Sequence, residues 1–257
     1  MGGARPKAHL TEGARKMIAK FPSSRDPYKI VGAEFLALRL AKRVGISVAD
    51  ADLAQVGNRD VLLVERFDRL PRKDGWQRRH VVSALTILGL DEHQSYYGSY
   101  ENLAQVLQRT SADPAQSSVE IFRRMVFNIL IGNTDDHARN HAAFWDGNEL
   151  ALTPAYDIEP RPRIGREANQ AIRICGTSRQ SRIALAIEAA PTFGLSTEEA
   201  VDIIAFQIET IHAYFHATAD EARLPEADRD ILANRAILNP YIYEGAPTAI
   251  ADLERSL

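Results

Sequence analysis

The hydrophobic pattern divides the chain into a strand-like first part and a mostly helical second part. Residues 8–31 read as short strand-like pieces joined by turns. The best of them, Lys-Met-Ile-Ala-Lys at 16–20, runs into the breaker Phe21-Pro22-Ser23-Ser24. A helix is predicted from about 29 to 44, with Phe35, Leu36, Leu38, Leu40 and Ala41 mostly on one face and Gly45 as its stop. Strand-like segments follow near 51–56 and 61–65, with Gly57-Asn58 as the turn between them. Residues 70–75 are polar and turn-rich, and they mark the expected boundary between a small lobe, 1–70, and a larger one, 71–257.

In the second lobe the candidate helices are 80–89, 99–109, 117–132, 180–190, 196–216 and 225–237. Val119, Phe122, Val126, Ile129 and Leu130 recur close to helical period and predict a buried helix. Residues 141–153 differ: two apolar runs flank Asp146-Gly147-Asn148, the signature of a β-hairpin. The pattern shows no internal repeat and no low-complexity tract.

Composition adds limits. The 257 residues are 45% hydrophobic and 25% charged, enough for a core without staples. Thirty-one Lys and Arg against 34 Asp and Glu give a formal charge of −3, which offers no global field for nucleic acid or membrane and leaves only a local patch open. The single cysteine, Cys175, rules out an internal disulfide and reads as a buried structural thiol. No apolar run reaches the ~18 residues of a membrane span, and the N-terminus has no signal-peptide core, so the expectation is a cytoplasmic protein. His212 and His216 lie one helical turn apart with no third ligand in view and read as a surface pair.

The densest polar stretch is residues 132–140, Gly-Asn-Thr-Asp-Asp-His-Ala-Arg-Asn, directly after the most apolar predicted helix. Asp135 and Asn140 are followed by the hairpin and then by Asp157. A kinase catalytic loop needs that order: one carboxylate toward the attacking hydroxyl, an Asn oxygen toward metal and phosphates, and a second Asp returned by the hairpin to the same ion. Hard oxygen donors of this kind suit Mg²⁺. Upstream, Lys20 ends a strand where its ammonium can reach α- and β-phosphates, and Glu34 is its natural partner. Residues 62–68 read as a crossover between lobes that exposes backbone to an adenine, with Asp68 placed for a ribose hydroxyl. Gly2-Gly3-Ala4-Arg5-Pro6-Lys7 can cradle phosphate, although it lacks the Gly-Lys-Ser/Thr of a Walker loop. Each piece alone has a plainer reading, as a solvated loop, a turn cap, a surface lysine or an edge strand. Their order, spacing and intervening hairpin together favour the kinase reading.

With those residues in hand, the chain resembles the HipA-like serine/threonine kinases of bacterial toxin–antitoxin systems. The matching stretches are 2–7, 18–22, 34–46, Val-Glu-Arg-Phe-Asp-Arg at 64–69, 131–140 and Leu-Thr-Pro-Ala-Tyr-Asp at 152–157. The resemblance implies an α+β, protein-kinase-like bilobal fold, with short antiparallel strands and one helix in the N-lobe and a mostly helical C-lobe. It implies ATP and Mg²⁺ as cofactors, Asp135 as catalytic base, and Asn140 with Asp157 as metal ligands. Gly3, Ala4, Lys7, Lys20 and His137 would face the phosphates, Glu65 and Phe67 would hold adenine through their backbone, and Asp68 the ribose. The implied partners are a protein substrate, among them aminoacyl-tRNA synthetases, and a DNA-binding antitoxin, with no direct nucleic-acid binding by the chain itself.

Two departures accompany the resemblance. The family carries further N-terminal sequence, so the expectation is a fragment, a short gene product or a lobe completed by a separate small protein. At 79–86 the chain has apolar Val81 and Val82 where many relatives carry His-Gln-Glu-Asp, and no role is transferred there. Three functional readings stay open: an active protein kinase, a kinase-fold binding module needing a partner, and a Mg²⁺-dependent phosphohydrolase.

Overall fold

The computed structural model describes residues 5–255 and 257. The glycine pair and Ala4 of the predicted phosphate loop lie outside those residues. Four antiparallel strands form the first sheet: β1 (Lys7–Glu12), β2 (Arg15–Lys20), β3 (Ala51–Val56) and β4 (Arg59–Glu65), in the order β1-β2-β4-β3. Gly57 at φ +62° allows the short β3–β4 connection. Between β2 and β3 runs α1 (Ile30–Arg43), which ends on Lys42 and Arg43, cations suited to a helix C-terminus. Eleven of its fourteen residues are buried, because the sheet covers one side and the long α6 (Thr197–Glu221) the other.

The turn-rich stretch at 70–75 is not a bare linker. It is the hairpin of β5 (Arg69–Arg72) and β6 (Gly75–Arg78), closed by Lys73-Asp74 with Gly75 at φ +130°. The helix expected at 80–89 is also corrected. Val81–Ser83 is a strand, β7, and only α2 (Ala84–Ile87) is helical, capped by Ser83. The β-branched pair Val81-Val82 finds a ready partner in β8 (Ala142–Trp145), which pairs in turn with β9 (Leu150–Leu152) in the predicted hairpin.

α3 (Tyr100–Thr110), α4 (Pro114–Ile131), α5 (Ile183–Ala189), α6 and α7 (Glu226–Arg235) fall on the expected segments, and a single turn, α8 (Thr248–Ala251), lies beyond them. α4 starts on Asp113, whose carboxylate accepts from Gln116 N–H, with Pro114 in the first turn. α6 starts on a reciprocal Ser196–Glu199 capping box. Buried side chains from both lobes form one continuous cluster, so the small lobe shares its core with the large one. Cys175 is half-buried, with burial pushing its thiol up to about 11. Among the described residues no helix is long and apolar enough to cross a membrane.

Gly132 ends α4 in the left-handed conformation, φ +72°, and leads into the polar stretch. A Cβ there would stand 2.5 Å from the carbonyl oxygen of Ala236. Gly89 has a similar φ of +66° but open space around it. Gly132→Ala should therefore cost roughly 2–4 kcal/mol, a fall of about 5–15 °C in thermal melting. Gly89→Ala should lose clearly less, since only its backbone conformation is penalised. Equal losses in the two variants would show that crowding against Ala236 is not the cause.

Candidate active site

Strand β2 ends at Lys20, and its ammonium enters the space between the two lobes. It donates to Glu34 Oε1 of α1 and to Asp157 Oδ1, both at 2.5 Å. Lys20 and Glu34 are almost wholly buried. Burial alone would lower the Lys20 pKa, but the facing charges of Glu34 and Asp157 outweigh it and hold the ammonium above its ordinary value. Burial pushes the Glu34 carboxyl up, against the pull of Lys20. Asp157 ends up below the usual carboxylate range: its burial is outweighed by Lys20, with help from the charges of Lys7 and His137.

The chain delivers Asp157 by a specific route. After β9, Ala155 forms a parallel bridge with Val48, bonded through Ala155 N–H to Ser47 C=O at 2.7 Å and Ala49 N–H to Ala155 C=O at 2.9 Å. The segment is thus tied to the first lobe just before Asp157, which then adopts φ +59°. Asp tolerates this left-handed conformation better than most residues, and non-glycine residues held there concentrate at functional sites.

A cleft of about 410 Å³ opens beside this ion cluster, lined by Lys7, Lys20, Glu65, Phe67, Asp68 and Asp157 among others. Its volume lies in the range of small-ligand sites. Phe67 lies between strands β4 and β5. Its N–H donates to no backbone carbonyl among the described residues, while its ring packs edge-on to Phe144 and against Tyr156. The Asp68 carboxylate is already engaged, taking two bonds from Arg66 at 2.9 and 2.7 Å and one from Arg69 at 2.5 Å. Burial would raise its pKa, but Arg66 first and then Arg69 hold it low.

Asp135, His137 and Asn140 stand on the loop after Gly132 and are absent from the cleft's lining. Asn140 Nδ2 donates to the Asp135 backbone carbonyl at 3.3 Å, which closes the loop on itself. The His137 Nδ1 atom is buried without a hydrogen-bond partner. Asp135 is half-exposed, and its carboxylate meets Arg161 at 2.7 Å. Arg161 also reaches Glu159, which reaches Arg5, which reaches Asp26 at 3.1 Å. The start of the described chain is thereby linked to the loop by a relay of charges.

Behind the loop lies a polar network that the sequence reading left without a role. Asp136 is 2% exposed and accepts from Asn128 Nδ2 at 2.8 Å, with His141 Nε2 at 2.9 Å on its other oxygen. Asn128 also accepts from Asn133 and reaches the Tyr100 hydroxyl. The available signal was polarity inside an apolar helix: Arg124 and Asn128, four apart in α4, are both buried. Tyr156 donates to the Arg139 carbonyl at 2.8 Å, and burial, then the Asp157 charge, push its hydroxyl up to about 12. Of the features read from sequence, the structure gathers Lys20, Glu34 and Asp157 into one ion cluster and places Lys7, Glu65, Phe67 and Asp68 around the same cleft. Among the described residues no three His, Cys, Asp or Glu side chains cluster as a metal site, and His212 is half-buried without any such company.

Residues 1–215 match the HipA-like C-terminal domain family. The chain belongs to that family. This HipA-like chain is 29% identical over 147 residues to the serine/threonine-protein kinase toxin HipA of Shewanella oneidensis, a segment covering 51% of the chain and 34% of the toxin. The match thus spans about a third of the toxin's length. A weaker likeness, 28% over 174 residues, joins it to the toxin YjjJ of Escherichia coli. Among solved structures, the Shewanella HipA in complex with HipB and operator DNA superposes with a TM-score of 0.74 at 22% identity, over 99% of this chain and 67% of that one. The Helicobacter pylori proinflammatory kinase CtkA gives 0.58 at 13% identity, covering 90% and 91%. These likenesses establish an α+β, kinase-like fold.

Two outcomes follow from the ion cluster. Lys20→Met leaves Glu34 buried without a countercharge and should cost about 3–5 kcal/mol, whereas Lys20→Met with Glu34→Met should lose much less than the two single losses added together. Urea unfolding of the four proteins measures this; additive losses would mean the pair is not coupled. Because the folded pKa of Asp157 is depressed, its charge stabilises the fold above the unfolded value of about 3.9, and that contribution is lost as pH falls through the folded value. Asp157→Asn should therefore be less stable than the parent near neutrality, and the gap should close in acid. A gap that is constant with pH would contradict the assignment.

Proposed function

We propose that this chain is a protein serine/threonine kinase domain that uses Mg²⁺·ATP. The observation that carries the reading is the Lys20–Glu34–Asp157 ion cluster beside a nucleotide-sized cleft, to whose wall the Asp135–Asn140 loop is tied by the Tyr156 hydroxyl on the Arg139 carbonyl. The residues present fit the cofactor. Asn140 and Asp157 offer hard oxygens, and two protein ligands are enough for Mg²⁺, which takes its remaining ligands from phosphate and water. The ammonium of Lys20 and Lys7 in the cleft lining are suited to phosphate oxygens, and the buried, unpartnered His137 Nδ1 would join them once turned toward the cleft. Glu65 and Phe67 present backbone to the adenine, and Asp68 faces the ribose once Arg66 and Arg69 share it with a hydroxyl. Residues 1–70 then act as the N-lobe and 71–257 as the C-lobe, with Gly3 and Ala4 part of the phosphate loop.

Bound nucleotide and metal supply the transferable phosphoryl group and the charge neutralisation that transfer requires. Asp135 takes the proton of the acceptor hydroxyl, after its carboxylate is released by Arg161. Glu34 keeps Lys20 aimed into the cleft, so that positioning is settled before substrate arrives. The buried Asp136–His141–Asn128 network holds the loop rigid from behind. By likeness to the Shewanella assembly, whose structure contains HipB and operator DNA, the proposal extends to a toxin role and a DNA-binding antitoxin. The family resemblance extends it to a protein substrate such as an aminoacyl-tRNA synthetase, and the sequence reading to the cytoplasm.

A second reading has its own observation. Strand β1 lies at the sheet edge and is largely exposed, an edge that a partner's strand can extend. The chain would then be a binding module completed in trans.

Calorimetric titration with ATP, with and without Mg²⁺, separates the two. The kinase reading expects Mg²⁺-dependent binding that is lost in Asp157→Asn, a replacement that also tolerates the left-handed backbone. Asp135→Asn should keep binding and lose phosphoryl transfer by at least ~100-fold. A folded chain that binds no Mg²⁺·ATP would sink the self-sufficient kinase and leave the module.

A further inference from the structure

Although the whole chain is net acidic, residues 160–182 carry six arginines against one acid, Glu167. This segment begins three residues after Asp157. Part of its charge is spent internally: Arg161 is held by Asp135 and Glu159, Arg166 by Glu244, and Arg163 is buried. Arg173 and Arg179 are different, for neither has a carboxylate partner among the described residues. Arg173 instead lies over the Tyr97 ring at 5.3 Å and Arg179 over Tyr96 at 6.0 Å. The two tyrosines lean on each other with centroids 4.0 Å apart, and both are nearly half exposed. The nearby acids are engaged elsewhere, Glu92 by Arg139 and Glu101 by the Gly176 N–H.

The location ties this patch to the proposed transfer loop. Arg173 N–H donates to the Gly98 carbonyl at 2.8 Å, and a Cβ added at Gly98 would be in ordinary contact, 3.5 Å, with Ala138 Cβ, between His137 and Arg139. The Glu92–Arg139 ion pair, at 3.0 Å, makes a second link to the same loop. A ligand seated on the two arginines would therefore lie alongside the place where an acceptor hydroxyl is presented.

We infer that the Tyr96–Tyr97–Arg173–Arg179 patch docks a carboxylate-rich segment of the acceptor protein. The word acceptor rests on the kinase reading above; the preference for carboxylates rests on the patch alone. Guanidinium groups with no internal anion pair readily with carboxylates, and the tyrosines hold them in place by cation–π contact. Nucleic acid fits less well. The tyrosine rings lean on each other and face the guanidinium groups, so a base stacking on them would compete with those contacts.

Fluorescence anisotropy with a labelled peptide, a serine flanked by glutamates, tests the inference against a matched glutamine peptide and against RNA and duplex DNA oligonucleotides. The glutamate peptide should bind in preference to the rest, more weakly as salt rises, and Arg173→Gln with Arg179→Gln should reduce its affinity about 10-fold. The single reversal Arg173→Glu, kept in case the double variant folds poorly, should shift preference toward a lysine peptide. Equal binding of glutamate and glutamine peptides, unchanged binding by a folded double variant, or tighter binding of either oligonucleotide would each overturn the proposal. A Mg²⁺·ATP titration of the same protein keeps the two claims apart. Failure there with the glutamate preference intact would sink the kinase reading and leave the docking patch standing.

Discussion

An ammonium ion enclosed between two carboxylates is the constraint on which the rest of this molecule hangs. Lys20 comes from a strand, Glu34 from the helix after it, and Asp157 from a segment more than a hundred residues later. Taking Lys20 and Glu34 out of water is unfavourable, and their contact with each other and with the half-exposed Asp157 compensates. The sheet, α1 and the segment after β9 must therefore arrive at one point, and the hydrophobic core is arranged to make them do so. The bridge from Ala155 to Val48 shows how closely: the second lobe is fastened to the first only two residues before its carboxylate is needed.

The adjoining loop is built on the opposite plan. Asp135 and Asn140 are held by the loop's own backbone and by polar groups buried beneath it, with Asp136 satisfied on both oxygens. A buried network of hydrogen bonds beneath the loop favours one geometry, which is what a loop exposed on its outer side needs. Asn133 and Asn128 extend it to the end of α4, where Gly132 turns the chain. Rigid below and half-open above, the loop leaves Asp135 with a displaceable cation, Arg161, on its accessible side.

Much of this was legible in the residues themselves. The helix around Glu34, the hairpin around Asp146-Gly147 and the order of Asp135, Asn140 and Asp157 are local patterns, and local patterns survive folding. What escaped was decided by distant partners. Val81 and Val82 looked helical in isolation and became a strand because β8 lies beside them. Residues 70–75 read as a turn-rich boundary, and only the pairing of Arg69 with Arg78 across them makes that turn a hairpin. Nothing near Asp135 announces Arg161, and nothing near Asp68 shows that both flanking arginines fold back onto its carboxylate. The buried role of Asp136 was obscured by its neighbour, since two adjacent aspartates read alike until one points inward.

Helix α1 is enclosed by the sheet on one side and α6 on the other, with Gly32 so close to the end of α6 that a methyl group there would meet the Ala222 carbonyl at 3.0 Å. In many kinases, activity is switched by moving the helix that bears the glutamate of the lysine pair. Here such a swing would empty a core shared by both lobes, at a cost comparable to losing several large buried side chains. A change of shape would cost less away from α1, in exposed stretches such as residues 164–167 of the arginine-rich segment. The Lys20–Glu34 pair is fixed in place by the packing that buries it.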